Sequence, residues 1–265
     1  MVACHAEAFA FSPLNAIPKI ALRKWVVLPL DGALALVSGD DVHRVMPTGS
    51  PELYYRAILD LLQAKKNVSL VPEWIATALK KHYKVARQHD EYVMETADVK
   101  ALPGGRNAAL RGNVNKARRL CTVEALTVET TDEYLALNAK WYKQNAVIKF
   151  RPYDKTSIDW LLKNWPMIPP CAPDAVCLGI RSAETMQLMS LNLGCALSSG
   201  SWTAYTQRFD REAPIKAANM LGYTELARRF ESYPQENDGT ADTKTIREWK
   251  DRLAARKVSY FTVSP

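Results

Sequence analysis

The sequence predicts an α/β protein built on a mixed sheet. Short apolar runs alternate with helix-periodic segments along the whole chain, and turn residues mark most changes of period. The 265 residues, 48% of them hydrophobic, suffice for a large core.

Trp25 to Leu30 and Ala33 to Ser38 are apolar runs split by Asp31-Gly32, the pattern of a tight hairpin. A helix is predicted over Pro51 to Lys65, with Ser50 as N-cap and Pro51 at the first helical position. Val68 to Val71 follows as a buried strand, Pro72 to Tyr83 as a second helix and Tyr92 to Glu95 as a strand. After a Pro-Gly-Gly break the theme returns, with a strand over Cys121 to Glu129 and helices over Thr131 to Asn145 and Lys155 to Asn164. Three strands come next, Ala175 to Arg181, Met186 to Ala196 and Ser201 to Thr206. A helix over Pro214 to Phe230, a loop around Asn237-Asp238-Gly239, a helix over Thr243 to Arg256 and a strand over Val258 to Val263 close the chain. The repeated order on either side of the break predicts two sheet-containing lobes, residues 1–95 and 96–265.

Composition narrows the chemistry. The five cysteines, Cys4, Cys121, Cys171, Cys177 and Cys195, are scattered without a Cys-x-x-Cys pair, which predicts reduced thiols packed as small apolar groups. The four histidines all lie in the first third and form no metal-ligand spacing, so no metal site is expected. No run reaches the length of a spanning helix and no signal peptide is recognisable, so a soluble, cytoplasmic protein is expected. The net charge of +7 leans toward anionic partners: tRNA, DNA or a phosphate-bearing substrate.

The charge is concentrated in Leu102 to Arg119, LPGGRNAALRGNVNKARR, where a turn runs into a helix carrying Arg106, Arg111, Lys116, Arg118 and Arg119. Arg111, Asn115, Arg118 and Arg119 are spaced to share one face, while Leu110, Val114 and Ala117 form the buried stripe opposite. Such a face suits a polyanion; a merely solvated amphipathic helix accounts for the same pattern.

Together with RFDREAPIKAANMLGYTELARRF, the Asn-Asp-Gly turn and KTIREWKDRLAARKVSYFTV, this segment resembles the C-terminal acyltransferase domain of the phosphatidylglycerol lysyltransferases, a branch of the GNAT superfamily. The similarity covers roughly residues 90 to 265, the first 90 matching only in element order. The resemblance implies two GNAT-like lobes with mixed β-sheets flanked by helices, and transfer of an acyl group, often an aminoacyl group carried on tRNA, to an amine or hydroxyl. It carries over Gly104, Arg106, Arg111, Asn115 and Lys116 of the basic motif, with Asp238 and Lys250 near the end; Arg119, on the same helix, is counted with the substrate-binding residues. The family's membrane-spanning portion is absent from this sequence, which favours a soluble acceptor over a lipid.

The donor is a second point of departure. GNAT enzymes that use acyl-CoA hold its pyrophosphate with backbone N–H groups of a glycine-rich loop opening a helix. The corresponding segment here, Arg208 to Lys216 (RFDREAPIK), has no glycine. No cofactor is therefore certain; aminoacyl-tRNA, held by side chains such as Arg208, Arg211 and Lys216, fits better than acyl-CoA. Ion pairing of Arg208, Asp210, Arg211 and Glu212 among themselves explains the same residues without a donor.

For the chemistry, Asp238 is a candidate proton acceptor, although Asn-Asp-Gly is also a common turn. Lys250 is a candidate for neutralising an oxyanion or phosphate, or else a helix-face partner of Glu248 or Asp251. Tyr205 is a candidate proton donor if it faces a cleft; alternation places it with Thr203, opposite Trp202 and Ala204. Trp141, Tyr142 and Lys143 set aromatic and basic groups side by side, as base stacking next to a phosphate requires. Three functions remain: a soluble acyl- or aminoacyltransferase, a nucleic-acid-modifying transferase of possible phage origin, and a non-catalytic nucleic-acid-binding protein on the same scaffold.

Overall fold

The computed structural model describes residues 12–23, 25–94, 96–145, 152–196, 202–215, 217–230, 235–238 and 256–265; within these, only the backbone is described for 89–94, 152–154, 235–238 and 256–258. Helix α1 (Pro13–Arg23) leads into strands β1 (Val26–Leu30), β2 (Ala33–Ser38) and β3 (Asp41–Pro47). Helix α2 (Pro51–Gln63), β4 (Asn67–Pro72), α3 (Glu73–Leu79) and β5 (Lys84–Met94) complete the first third. Then come α4 (Thr96–Ala101), α5 (Ala108–Leu120), β6 (Cys121–Ala125), α6 (Thr131–Gln144), α7 (Pro152–Lys163) and the single turn α8 (Ile168–Cys171). Strands β7 (Val176–Ser182), β8 (Leu188–Ala196) and β9 (Trp202–Phe209), helix α9 (Ala218–Arg229), β10 (Gln235–Asp238) and β11 (Arg256–Ser264) follow.

The local signals act as the residue types dictate. Asp31-Gly32 closes the β1–β2 hairpin with Gly32 at φ 71°, and the Ser50 hydroxyl accepts from the Leu53 N–H at 3.3 Å to cap α2. The unpredicted elements are instructive. β3 escapes the alternation rule because Arg44, only 3% exposed, stands among its inward positions. The loop expected around Asn237-Asp238 is strand β10, whose register is fixed by neighbours distant in sequence. Helix α9 begins at Ala218 rather than Pro214, and the expected helix over Thr243 to Arg256 lies outside the described residues, apart from Arg256 at the start of β11.

The described strands all join one eleven-stranded sheet in the order β1-β2-β3-β4-β11-β5-β10-β9-β8-β7-β6. Each half repeats one scheme: an antiparallel meander, a crossover helix, then a parallel strand. β3–α2–β4 and β9–α9–β10 are the two crossovers, and β5 pairs antiparallel with β10 to join the halves. A division near residue 95 has to give β11, which pairs with β4 and β5, to the first half. It has to give α1, whose Leu14 is buried with α6, α7 and β8, to the second.

Among the described residues three large apolar cores, with a small fourth cluster of Ala16, Trp25 and Leu36, hold the sheet. One packs α2 and α3 against β2–β4 and includes Val263 of β11. The other two lie on opposite faces of β7–β9: Val99, Val114, Leu221 and Leu226 of α4, α5 and α9 cover one, and Tyr134, Leu137, Ile158 and Leu162 of α6 and α7 cover the other. Trp202 and Ala204 pack on the first of these and Tyr205 on the second, as alternation along β9 predicts.

Candidate functional site

The second crossover creates the candidate site. Parallel β9 and β10 pair only at Gln235–Trp202 and Glu236–Thr203; Asn237 and Asp238 continue along β5 instead. From Ala204 onward no ladder joins β9 to β10 among the described residues, so the strands part into a wedge toward their carboxyl ends, where α/β sheets commonly bind ligands. Tyr205 sits at its start as a bulge. Gly194 pairs with Ala204 and Leu193 with Thr206, which leaves Tyr205 as the extra residue, and a bulge of this kind re-aims a side chain. Asp238 stands on the opposite strand, paired through its backbone with Glu91.

At the carboxyl end of β9 the chain enters a loop organised around Asp210, which is 5% exposed. Its carboxylate accepts from Lys140 Nζ at 2.8 Å, Gln144 Nε2 at 2.9 Å, Gln187 Nε2 at 3.1 Å and the Glu212 N–H at 3.0 Å. Burial alone would raise the Asp210 pKa, but these donors outweigh it and hold the carboxyl below its ordinary value. The Asp210 N–H goes to the Met189 carbonyl at 2.9 Å, the Arg211 N–H to Gln144 Oε1 at 3.0 Å and the Ala213 N–H to the Asp210 carbonyl at 3.2 Å. Residue 214 is a proline. The amides of 210 through 213 are thus all bonded within the protein.

The same holds at the first crossover, where the Thr48 and Gly49 N–H groups both reach the Gly32 carbonyl, at 2.9 and 3.1 Å. Neither loop offers these N–H groups to a phosphate.

Helix α6 supplies partners for the charged residues of Arg208 to Glu212. Lys140 bridges Asp210 and Glu212, and Arg211 bonds the Gln144 carbonyl at 3.2 Å and the Asn145 side chain. Arg208 is 6% exposed; its guanidinium lies 4.0 Å from the Trp141 ring centre, donates to Asn138 Oδ1 at 3.3 Å and to the Tyr142 hydroxyl at 3.4 Å. The Trp141-Tyr142 pair therefore stacks on an arginine of β9. A second buried arginine, Arg181, ties Glu124 and Glu133 to the Met186 carbonyl at 2.6, 2.7 and 2.5 Å, and these carboxylates, Glu124 first, raise its pKa against the effect of burial.

On the other face of the sheet, Asn192 is fully buried and is held by Ser190 Oγ and Gln207 Nε2, both at 3.1 Å. Back on the face of Tyr205, Thr203 is buried at the base of the wedge, its hydroxyl bonded to no described group. Nothing in sequence pattern distinguishes Asn192 and Thr203 from ordinary strand polar residues.

The basic helix is α5, with Val114 and Ala117 buried as predicted. Arg106, Asn115, Lys116 and Arg119 are exposed, and Gly104 with Gly105 forms the turn before it at φ 80° for Gly104. Arg111 turns back to donate to the carbonyls of Leu102 at 2.5 Å and Gly104 at 3.4 Å. α5 packs on α9, the crossover helix. Lys216 and Lys250 lie outside the described residues. Among the described residues no cluster of side chains could hold a metal ion, and no helix is long and apolar enough to cross a membrane.

This architecture has relatives. A sequence profile of the family described as phosphatidylglycerol lysyltransferase, C-terminal, matches residues 30–158. The fold is GNAT-like. A conserved protein from Bacteroides thetaiotaomicron superposes with a TM-score of 0.77 at 13% identity, over 96% of this chain and 90% of that one. L-PGS from Bacillus licheniformis aligns at a TM-score of 0.65 and 12% identity, covering 98% of this chain and 90% of that one. FemX aligns at 0.60 and 12%, covering 96% and 92%. Identities this low speak for the fold alone. No curated protein matches the chain. The profile match begins well before residue 90, so the sequence resemblance extends into the first half, where only element order was expected to agree; it ends at 158 and does not take in the segments from Arg208 onward on which the resemblance was also read. None of these relatives favours the nucleic-acid-modifying reading.

Proposed function

We propose that this GNAT-like chain is an acyl- or aminoacyltransferase whose donor is an aminoacyl ester carried on RNA rather than an acyl-CoA. The observation that carries the reading is the first part of the β9–α9 loop, residues 210–214: the N–H groups of Asp210, Arg211, Glu212 and Ala213 are bonded internally, Pro214 has none, and the buried Asp210 carboxylate would repel a pyrophosphate.

The reaction class is aminolysis or alcoholysis of an ester. The acceptor nitrogen or oxygen attacks the carbonyl carbon, the new bond forms as the ester C–O bond breaks, the acceptor loses a proton and the departing hydroxyl gains one. Tyr205, at the bulge where the wedge opens, is assigned as proton donor to the leaving oxygen. Asp238, on the facing strand, is assigned as proton acceptor, and Lys250 as the cation near the developing charge. Binding of the phosphate-bearing carrier falls to Gly104, Arg106, Asn115, Lys116 and Arg119 of the α5 region and to Lys216. Arg208 and Arg211, being engaged with α6, shape the site through that helix.

The test is transfer of a labelled amino acid from a mixture of aminoacyl-tRNAs to amine and hydroxyl acceptors by the full chain, beside calorimetry with acetyl-CoA. Consumption of aminoacyl-tRNA with no acetyl-CoA binding at millimolar concentration supports the reading. Micromolar acetyl-CoA binding with acetyl transfer overturns it.

A further inference from the structure

The two edges of the sheet are finished differently. At the first, β1 pairs with β2 along its whole length, and counting back from the Asp31-Gly32 turn leaves Val27 and Pro29 in the outward positions. Pro29 has no N–H, one of the ways natural sheets keep an edge from accepting another strand. At the second edge, β6 carries no proline. Its hydrogen-bond pattern is fixed at both ends: the Ala183 N–H donates to the Leu120 carbonyl at 2.9 Å, and the Leu126 N–H to the Cys177 carbonyl at 3.1 Å. Residues of an antiparallel strand alternate between bonding their neighbour and facing away from it. Thr122 and Glu124 therefore turn their backbone groups to β7, while Cys121, Val123 and Ala125 turn theirs outward. Among the described residues the sheet ends there, and no strand takes up these groups.

The strand's own sequence says what fits this edge. Leu120, Val123 and Val128 are 43%, 43% and 66% exposed along it, an apolar border beside the unused backbone groups. Charge changes sign in the same direction. Lys116 and Arg119 stand exposed before the strand, Glu129 and Asp132 exposed after it. A strand that is basic at its start and acidic at its end matches its own copy when the two run antiparallel, because each basic end then meets an acidic one. The register follows from the outward residues. With a two-fold axis at Val123, this residue faces Val123 of the partner subunit and Cys121 faces Ala125 of the partner subunit, so that three reciprocal pairs exchange two hydrogen bonds each. The geometry points to β6 as a self-association edge, at which a second copy of this chain adds antiparallel and continues the sheet. The dimer goes beyond the transferase reading and does not depend on it: the wedge opens at β9, three strands in from β6. A five-residue junction buries less than the about 1,600 Å² of a standard interface, so association is expected at micromolar concentration and not below it.

The test is sedimentation velocity of the full chain from about 1 to about 100 µM, beside the variants Val123→Lys and Val123→Pro. Val123→Lys sets two ammonium groups against each other at the axis, and Val123→Pro removes an outward N–H that β7 does not use. The parent is expected to pass from monomer to dimer across this range, and Val123→Lys to need about tenfold more protein or beyond to do so. In amide exchange, the N–H groups of Thr122 and Glu124 should be slow at every concentration. Those of Cys121, Val123 and Ala125 should be fast in dilute parent and slow in concentrated parent. A parent that stays monomeric throughout overturns the proposal, whether or not it captures an extended segment of another protein. A dimer that survives unchanged in Val123→Lys, or whose Val123 N–H exchanges as fast as in the monomer, uses another surface and overturns it as well. Should Val123→Pro fail to fold, the lysine variant carries the test, because its side chain stands at an exposed position.

Discussion

A β-carbon on Gly222 would lie 2.0 Å from the Asn192 side-chain nitrogen, so helix α9 and strand β8 touch through a glycine and an amide with no room between them. Asn192 cannot yield, because Ser190 and Gln207 hold it and it is fully buried. In an exposed helix, Gly→Ala stabilises by up to about 1 kcal/mol. Here the sign reverses: Gly222→Ala is expected to destabilise by about 1–3 kcal/mol through overpacking, measured by denaturant unfolding. Asn192→Ala in the same chain should recover part of the loss by removing the clashing amide. A stabilised Gly222→Ala variant would show that α9 can lift from the sheet, and the wedge would lose its fixed wall.

Arg111 and Arg119 look equivalent in the sequence, two cations on one helical face, and the fold separates them. Arg111 bonds the Leu102 and Gly104 carbonyls, and Leu102 is a buried non-glycine residue at φ 49°. Such a backbone conformation persists only where its surroundings hold it. Arg111→Ala is expected to cost about 1–2 kcal/mol of stability, while Arg119→Ala costs within about 0.5 kcal/mol. Equal losses in thermal or denaturant unfolding would contradict this division.

The contrast shows where sequence reading reaches and where it stops. Features set by neighbours in the chain were legible: the Asp31-Gly32 hairpin, the Ser50 cap, the Val114/Ala117 stripe and the alternation of Trp202 and Tyr205 across β9. Features set by distant partners were not. Arg44 inside β3 broke the apolar pattern, the pairing of β10 with β5 and β9 turned an apparent turn into a strand, and Arg208 found its partners on α6, about 70 residues away. The missing glycine of the β9–α9 loop was visible, but that its amides are individually bonded to Met189, Gln144 and Asp210 is a tertiary fact.

His43 supplies a pH-dependent test of the first half. Its ring stacks on Trp25 at 4.2 Å with a 6° interplanar angle, and Lys19 and Arg44 stand over the same indole at 5.3 and 5.5 Å. Burial is the main cause that lowers its pKa; Asp41 opposes it, and Arg44, Lys19 and Arg23 reinforce it. A folded-state value below the ordinary 6.5 means that the unfolded chain takes up the proton first. The contribution of His43 to stability is therefore complete above about pH 6.5 and declines as pH falls through the folded value. The melting temperature of the parent should drop more steeply between pH 7 and 5 than that of His43→Gln; parallel profiles would remove His43 from the account.

Asp210 titrates in the opposite sense and tests the closed loop. Its folded pKa lies below the ordinary 3.8, so its contribution is present above that value and is lost as pH falls through the folded one. Asp210→Asn keeps the shape and the acceptor for the Glu212 N–H and Gln144, but it places a donor against Lys140 and Gln187, whose nitrogens lie 2.8 and 3.1 Å from the other carboxylate oxygen. Lys140 is 41% exposed and can turn to water, which limits the cost to about 1–3 kcal/mol at pH 7. The gap between parent and variant in urea unfolding should narrow as pH falls below about 3.8, where the unfolded chain takes up the proton first, and go on narrowing through the lower folded value. A variant equal to the parent at pH 7 would mean that the loop amides are held without Asp210, and the argument that this carboxylate excludes a pyrophosphate would then rest on the glycine-free sequence alone.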